Sequence, residues 1–303
     1  MRLAALVAVL AAIGCRPGAD DPPATPDAVT GNYRVATFNV KRLFDTVCES
    51  GACGFDEYEA LLSPDELDAR AIEIADAIRA LDADVISLQE IETQACLDAL
   101  LVHIGDLMPY GVLGEIGTTA SVDVAVLSKT PIETVLRHRA DEPLALADGT
   151  VTTFARELLE VHVRSPQGTE VVVVAAHFKS KSNDQPARRL AEARTAARIL
   201  GDVSTASPSA LVMLAGDLND TPGSRPLDAL TVEGGLIRVA DDLAAGAQAT
   251  YIYNGRGQAI DHILITPSGE ARRVPQSSHA WRDGAKGWGG SDHFALTSDF
   301  VLP

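Results

Sequence analysis

Positive charge is what this chain is short of: 25 Lys and Arg stand against 42 Asp and Glu in 303 residues, a formal net charge of −17. Phosphate neutralisation by Lys and Arg supplies most non-specific affinity for nucleic acid, so a broadly basic binding surface is excluded. A local basic patch beside a bound cation is not, because such a site receives one phosphate while the rest of the surface stays acidic. Cysteine is scarce as well, at four, and no two cysteines share metal-site spacing with a histidine, which argues against zinc. Aromatic residues are only 5% of the chain, and no loop clusters Trp and Phe as lipid insertion would require. Trp281 and Trp288, flanking a Gly-rich loop, are the nearest approach to one. Internal repeats and a linker inside the folded part are absent too.

What is present begins with an export signal. Met1-Arg2 and the apolar run Leu3 to Ile13 form a charged n-region and an h-region too brief to span a bilayer permanently. The run ends Ala12-Ile13-Gly14-Cys15, similar to a bacterial lipobox, in which the cysteine is lipidated and becomes the new N-terminus. Leu is usual where Ala12 stands, and ordinary secretory cleavage nearby is the alternative. Residues 1–15 are therefore expected to be a signal peptide, Arg16 to Thr30 a flexible tether rich in Pro, Ala and Asp, and 31–303 the functional domain. The expected location is outside the cytoplasm, as a monomer attached to a membrane through Cys15 or secreted. Oxidised cysteine pairs belong to that setting. Cys48 with Cys53 closes a small loop and leaves Cys96 odd, and a bond from either to Cys96 competes.

Hydrophobic residues at 46% suffice for a buried core. Nine β-rich runs are expected as strands: Tyr33–Phe38, Asp84–Leu88, Val122–Leu127, Thr150–Phe154, Leu158–Val163, Glu170–Ala176, Ala210–Ala215, Ala259–Ile265 and Phe294–Val301. One helix follows Ser63-Pro64, with Leu67, Ala71, Ile74, Ala75, Ile78 and Leu81 at helical spacing; a second runs from about Pro186 to Leu200 and ends at Gly201. Arg188, Arg189, Arg194 and Arg198 on the second are expected as a solvated face rather than a phosphate site. Many strands and few helices fit two packed sheets covered by helices, a layered α/β sandwich.

Polar clusters stand at the ends of several of these runs. Asn39 follows Tyr33–Phe38, and Glu90 closes the run DVISLQE, where a carboxylate is well placed to hold a hard cation. His177 emerges from VVVVAA and is followed by Lys179, Ser180 and Lys181, donors suited to an anionic oxygen. In LVMLAGDLND, Gly216 permits a tight turn, Asp217 holds or deprotonates a water, Asn219 donates to phosphate, and Asp220 serves as a turn-capping acid. Ser291-Asp292-His293 precedes the last strand; its imidazole needs a carboxylate to fix its tautomer, and Asp261 is the candidate.

In order, FNV at Phe38–Val40, LQE at Leu88–Glu90, HF at His177–Phe178, GDLN at Gly216–Asn219, IDHIL at Ile260–Leu264 and SDH at Ser291–His293 resemble the endonuclease/exonuclease/phosphatase superfamily, which includes DNase I, repair nucleases, sphingomyelinases and inositol polyphosphate phosphatases. The resemblance spans about Tyr33 to Leu302. It implies a four-layered α/β sandwich, two mixed sheets flanked by helices, and a Mg²⁺-dependent phosphodiesterase, with Mn²⁺ or Ca²⁺ as alternative ions. It further implies Glu90 as principal metal ligand helped by Asn39 and Asp292, Asp217 and Asn219 positioning water and phosphate, His177 and His293 acting on phosphate oxygens or in proton transfer, and Asp261 orienting His293. Arg156 and Lys179 would bind substrate. Nucleic acid is the substrate the subfamily features favour, a phospholipid head group the alternative. Relatives often carry an acid two residues after the motif Asn, where this chain has Lys41; that points to a single cation or to a Lys41–phosphate contact.

Overall fold

The computed structural model describes residues 32–54, 56–284 and 286–303; the expected signal peptide, lipobox and tether lie outside the described residues. In chain order the elements are β1 (Asn32–Leu43), α1 (Pro64–Leu81), β2 (Val85–Ile91), α2 (Gln94–Ile104), β3 (Tyr110–Gly114), β4 (Asp123–Ser128), β5 (Ile132–Arg137), β6 (Leu144–Ala145), β7 (Val151–Thr152), β8 (Leu159–Arg164) and β9 (Glu170–His177). They continue as α3 (Pro186–Ala206), β10 (Leu211–Asp217), α4 (Arg225–Asp228), β11 (Ile237–Arg238), β12 (Tyr251–Tyr253), β13 (Arg256–Gln258), β14 (Asp261–Ile265), β15 (His279–Trp281) and β16 (Ala295–Val301).

Ten of the strands lie beside β1 and β10 in two mixed six-stranded sheets, ordered β15-β16-β1-β2-β4-β3 and β11-β14-β10-β9-β8-β5. Parallel pairs occur at the centre of each, β1 with β2 and β9 with β10. Val35, Val85, Val124 and Val126 of the first sheet pack against Val161, Val171, Val173 and Ile263 of the second. Their opposite faces are covered too: Phe38, Ile86 and Leu88 by Ile74 and Ile78 of α1 and Leu97 of α2, and Val172, Val174 and Val212 by Ala193, Ala196 and Leu200 of α3. Helix, sheet, sheet, helix is the four-layered sandwich that the resemblance implies. Burial on both faces explains why the central strands read as continuous apolar runs rather than alternating ones.

Local chemistry sets the boundaries. Ser63 caps α1 by accepting from Glu66 N while the Glu66 side chain accepts from Ser63 N, and Pro64 fills a position whose N–H has no helical partner. The second predicted helix does not stop at Gly201 but continues to Ala206 as α3. An isolated glycine costs a helix only about 1 kcal/mol relative to alanine, and the packing of Ile199, Leu200 and Val203 outweighs that. The expected strand Thr150–Phe154 shrinks to β7, paired only with the two-residue β6. The arginines of α3 are tied down, and one is not solvated: Arg189 is buried between Asp184 and Asp220, while Arg194 pairs with Glu233 and Arg198 with Asp202. Cys48 and Cys53 form the disulfide, and Cys96 is a free buried thiol in α2.

Candidate active site

The row of functional groups is fixed by strand register. Asp217, the last residue of β10, stands beside His177 at the end of β9 and beside Asp261 at the start of antiparallel β14. A Cβ at Gly216 would lie 1.8 Å from the Ala176 carbonyl oxygen, so only glycine lets β10 approach β9 this closely. From the other sheet, β1 delivers Asn39 next to Gln89 of β2, and both strands then bulge, between Asn39 and Leu43 and between Gln89 and Ile91. The bulges hold Lys41, Arg42 and Glu90 at positive φ (59°, 50° and 70°), a conformation such residues rarely adopt and one that re-aims side chains at functional rims.

Asn39 joins the sheets. Its Nδ2 donates to Glu90 Oε1 (3.2 Å) and to Asp217 Oδ2 (3.1 Å), and its Oδ1 accepts from Lys41 N (3.0 Å). Asn39 is thus a buried tie between two carboxylates, and its Oδ1, with one lone pair taken by Lys41 N, keeps the other. Arg42 N donates to Glu90 Oε2 (2.9 Å). Ser291 Oγ donates to the Asn39 carbonyl (2.7 Å) and accepts from His293 N (3.0 Å), so the serine of the SDH motif joins β1 to His293. Thr250, which the sequence did not single out, accepts from Ile260 N and Asp261 N on its hydroxyl and from Phe294 N on its carbonyl, holding Asp261 and His293 together.

His293 Nδ1 donates to both oxygens of Asp261, at 2.9 and 3.2 Å, the pairing that the sequence suggests. Burial opposes charge on this imidazole, but the Asp261 carboxylate and its hydrogen bond, with Asp217 and Glu90 behind, overcome it and raise the pKa to about 10. His177 lies 3.7 Å from Asp217 Oδ2 and goes the other way: burial first, then Arg156, His293 and Lys179, hold it well below 6.5. The two imidazoles are thus shifted in opposite directions, His293 toward its charged form and His177 toward its neutral one. Burial and then the Asp261 charge push the Asp217 carboxyl well above the usual carboxylate range, although the Asn219 N–H bonds its Oδ1 (2.8 Å). Asn219, at φ 53°, also donates from Nδ2 to the Phe178 carbonyl.

These groups floor a cleft of about 670 Å³. Glu90, His177, Asp217, Asn219, Asp292 and His293 face it; Asn39 and Asp261 lie beneath. Arg156 faces it as expected. Lys179 does not: its Nζ turns to the Ser182 carbonyl (2.8 Å), and Lys181, held by Asp220 (3.0 Å), lines the cleft instead. Asp220 thus works through Arg189 and Lys181, not by capping alone. Buried Glu192, also missed in the sequence, accepts from Ala155 N (2.7 Å) and Lys179 N (2.8 Å) and braces the segment carrying Arg156 against the one following β9.

The donors fit a divalent cation. Asp217, Asp261 and His293 each offer an atom within 4.8 Å of the others, but both Asp261 oxygens are spent on His293. The carboxylates that face the cleft are Glu90, Asp217 and Asp292; each oxygen of the first two accepts one hydrogen bond and keeps a lone pair, and the raised Asp217 carboxyl marks a crowding of negative charge that a cation relieves.

The sequence profile described as "Endonuclease/Exonuclease/phosphatase family" matches residues 36–293. Among solved structures, the protein described as an endonuclease/exonuclease/phosphatase from Bacteroides vulgatus is 17% identical at a TM-score of 0.63, over 90% of this chain and 99% of that one. SmcL is 17% identical at 0.62, over 89% and 99%, and TDP2 of D. rerio, complexed with single strand DNA product, is 16% identical at 0.58, over 89% and 99%. These likenesses show the shared fold. Comparison with curated proteins finds no match.

Proposed function

The chain belongs to the endonuclease/exonuclease/phosphatase family, and from that premise we propose that it is an exported, divalent-metal-dependent phosphodiesterase that hydrolyses DNA or RNA by in-line attack of water. The observation that carries this reading is the buried row His177–Asp217–Asp261 with His293 docked on Asp261, opposite the open carboxylates Glu90 and Asp292. A cation held by Glu90 and Asp292, Mg²⁺ by the chemistry of the donors, would neutralise phosphate charge. Asp217, whose raised pKa suits a base, accepts the proton of the attacking water, which Asn219 orients. His293, fixed by Asp261, which favours its charged form, stabilises charge growing on the phosphoryl oxygens. Neutral His177 donates a hydrogen bond to the same group. Arg156 and Lys41 add positive charge at the rim. Lys41 Nζ stands 3.9 Å from Asp292, where relatives often carry an acid, which supports one cation rather than two.

The Cys48–Cys53 disulfide supports export. Lipid attachment at Cys15, and a monomeric state, belong to the same proposal. A phospholipase C-like activity on lipid head groups is the second reading, which that anchor would favour. Incubating the purified domain with plasmid DNA, RNA and sphingomyelin vesicles, in Mg²⁺ or EDTA, decides. Metal-dependent nucleic-acid cleavage is expected; turnover of sphingomyelin alone shifts the assignment to the second reading, and no turnover of any substrate overturns both.

A further inference from the structure

The chain is poor in aromatics, yet three of its five tyrosines, Tyr58, Tyr251 and Tyr253, line this cleft, and neither tryptophan does. Tyr251 serves the floor directly, since its ring lies 4.9 Å from the His293 imidazole, tilted by 39°, and helps to hold it. The other two have no such partner in the floor. They come from separate segments, Tyr58 from the loop between β1 and α1 and Tyr253 from the β12–β13 hairpin, and they are 51% and 55% exposed. Large apolar rings are not left in water beside a charged cleft without cost, which burial against a ligand would recover.

Tyr58 is also held in place. The Arg42 guanidinium lies over its ring, 5.3 Å from the centroid, and Arg42 Nη1 donates to the Tyr58 carbonyl (3.1 Å). Phe44 meets the ring edge-on at 5.8 Å. The loop is stapled by Cys48–Cys53, and Glu59 accepts from Glu49 N (2.6 Å) and Ser50 N (2.8 Å). A ring fixed in advance loses little freedom when a flat partner stacks on it. Around it the cleft is lined by four cations, Lys41, Arg42, Arg156 and Lys181, more positive charge than one phosphate needs.

We propose that Tyr58 and Tyr253 are stacking platforms for unpaired nucleobases, which makes an unpaired stretch or end of a nucleic-acid strand the preferred substrate; this rests on the nuclease reading above. Every base has a π-face, so the preference is for strandedness rather than sequence. Bases inside a duplex are already stacked and offer the rings nothing.

The test uses short labelled single-stranded oligonucleotides, their abasic counterparts of equal length and the matching duplexes, with binding read by fluorescence anisotropy in Mg²⁺ in an Asp217→Asn background that leaves the rim untouched. Tyr58→Ala should weaken binding of the base-bearing strand about tenfold and leave the abasic strand unaffected, Tyr58→Phe should bind as the parent does, and Tyr253→Ala should repeat the pattern more weakly. Melting curves exclude misfolding, and Tyr253, on its own hairpin, keeps the test available if Tyr58→Ala fails to fold. Equal losses on both strands, no loss on either, or a parent that favours duplex overturn the stacking role while the wild type still cleaves nucleic acid. A wild type that cleaves no nucleic acid overturns the nuclease reading, and this inference with it.

Discussion

The floor of the cleft and its rim are built differently. On the floor, Asn39, His177, Asp217, Asp261 and His293 are buried; the register of β1, β9, β10 and β14 decides where the first four stand, and Asp261 and Ser291 hold His293 beside them. On the rim, Lys41, Arg42, Tyr58, Lys181 and Tyr253 are exposed and come from bulges, loops and a hairpin. The floor moves only if a sheet moves, whereas the rim changes with a loop without touching the fold. Chemistry therefore belongs to the floor and substrate choice to the rim.

The floor gives the largest expected effects. Asp217→Asn or His293→Ala should lower kcat by about 10³-fold while KM changes little, since each acts in the transition state. Wild-type kcat in either variant contradicts the assignment. Next comes the pairing itself. Without Asp261 the main influence that raises the His293 pKa is gone and burial dominates, so in Asp261→Asn the imidazole is neutral near pH 7. Activity of that variant should be lost at a lower pH than wild type and be partly restored on acidification; a pH–rate profile with an unmoved alkaline limb would break the link between the two residues.

Rim substitutions should act more gently and on binding. Lys41→Ala is expected to raise KM several-fold and flatten the salt dependence, as for a phosphate contact, with kcat nearly kept. A collapse of kcat would move Lys41 to the floor. Smallest is an effect remote from the cleft, where Glu160 bridges His138 (2.8 Å) and His162 (2.7 Å), and His162 also bonds Glu170 (2.9 Å). Burial opposes the Glu160 charge, but the two histidines prevail and lower its pKa to about 2, a contribution present above 4.5 and lost as pH falls toward 2. His162 is raised, chiefly by Glu160, so its contribution is full below 6.5 and fades as pH rises through its folded value. The melting-temperature gap between wild type and Glu160→Gln should peak between pH 4.5 and 6.5; a gap that grows above pH 8 reverses the sign.

The same division governs what the sequence discloses. Floor residues were legible because each borders an apolar run, Asn39, His177 and Asp217 after one and Asp261 and His293 before one, and the end of a central strand buried on both faces is easy to read in sequence. Even Asp261 as partner of His293 was legible, since β14 is short and apolar. Asn39 was legible as a site residue but its hydrogen bonds were not: which end of an amide faces a carboxylate depends on the bulge that brings Lys41 N to its oxygen. The rim resisted. Lys179 and Lys181 are equivalent as sequence, and a loop turn alone sends the first to Ser182 and the second to the cleft. Tyr58 is invisible without the path of the Cys48–Cys53 loop, and α2, β3 and β5 carry no pattern strong enough to separate them from their surroundings. Thr250 and Glu192 act through backbone hydrogen bonds, which leave no mark in a linear pattern.

The central claim is that Glu90 and Asp292 hold one divalent cation that hydrolysis requires. Its most direct test is the rate of oligonucleotide cleavage by the EDTA-stripped protein as Mg²⁺ is added back, for wild type and Glu90→Gln. The account predicts no cleavage without Mg²⁺, a saturable return of activity in wild type, and a Mg²⁺ requirement shifted to much higher concentration in Glu90→Gln. Cleavage that persists without the metal, or a Mg²⁺ dependence unchanged by Glu90→Gln, would contradict it.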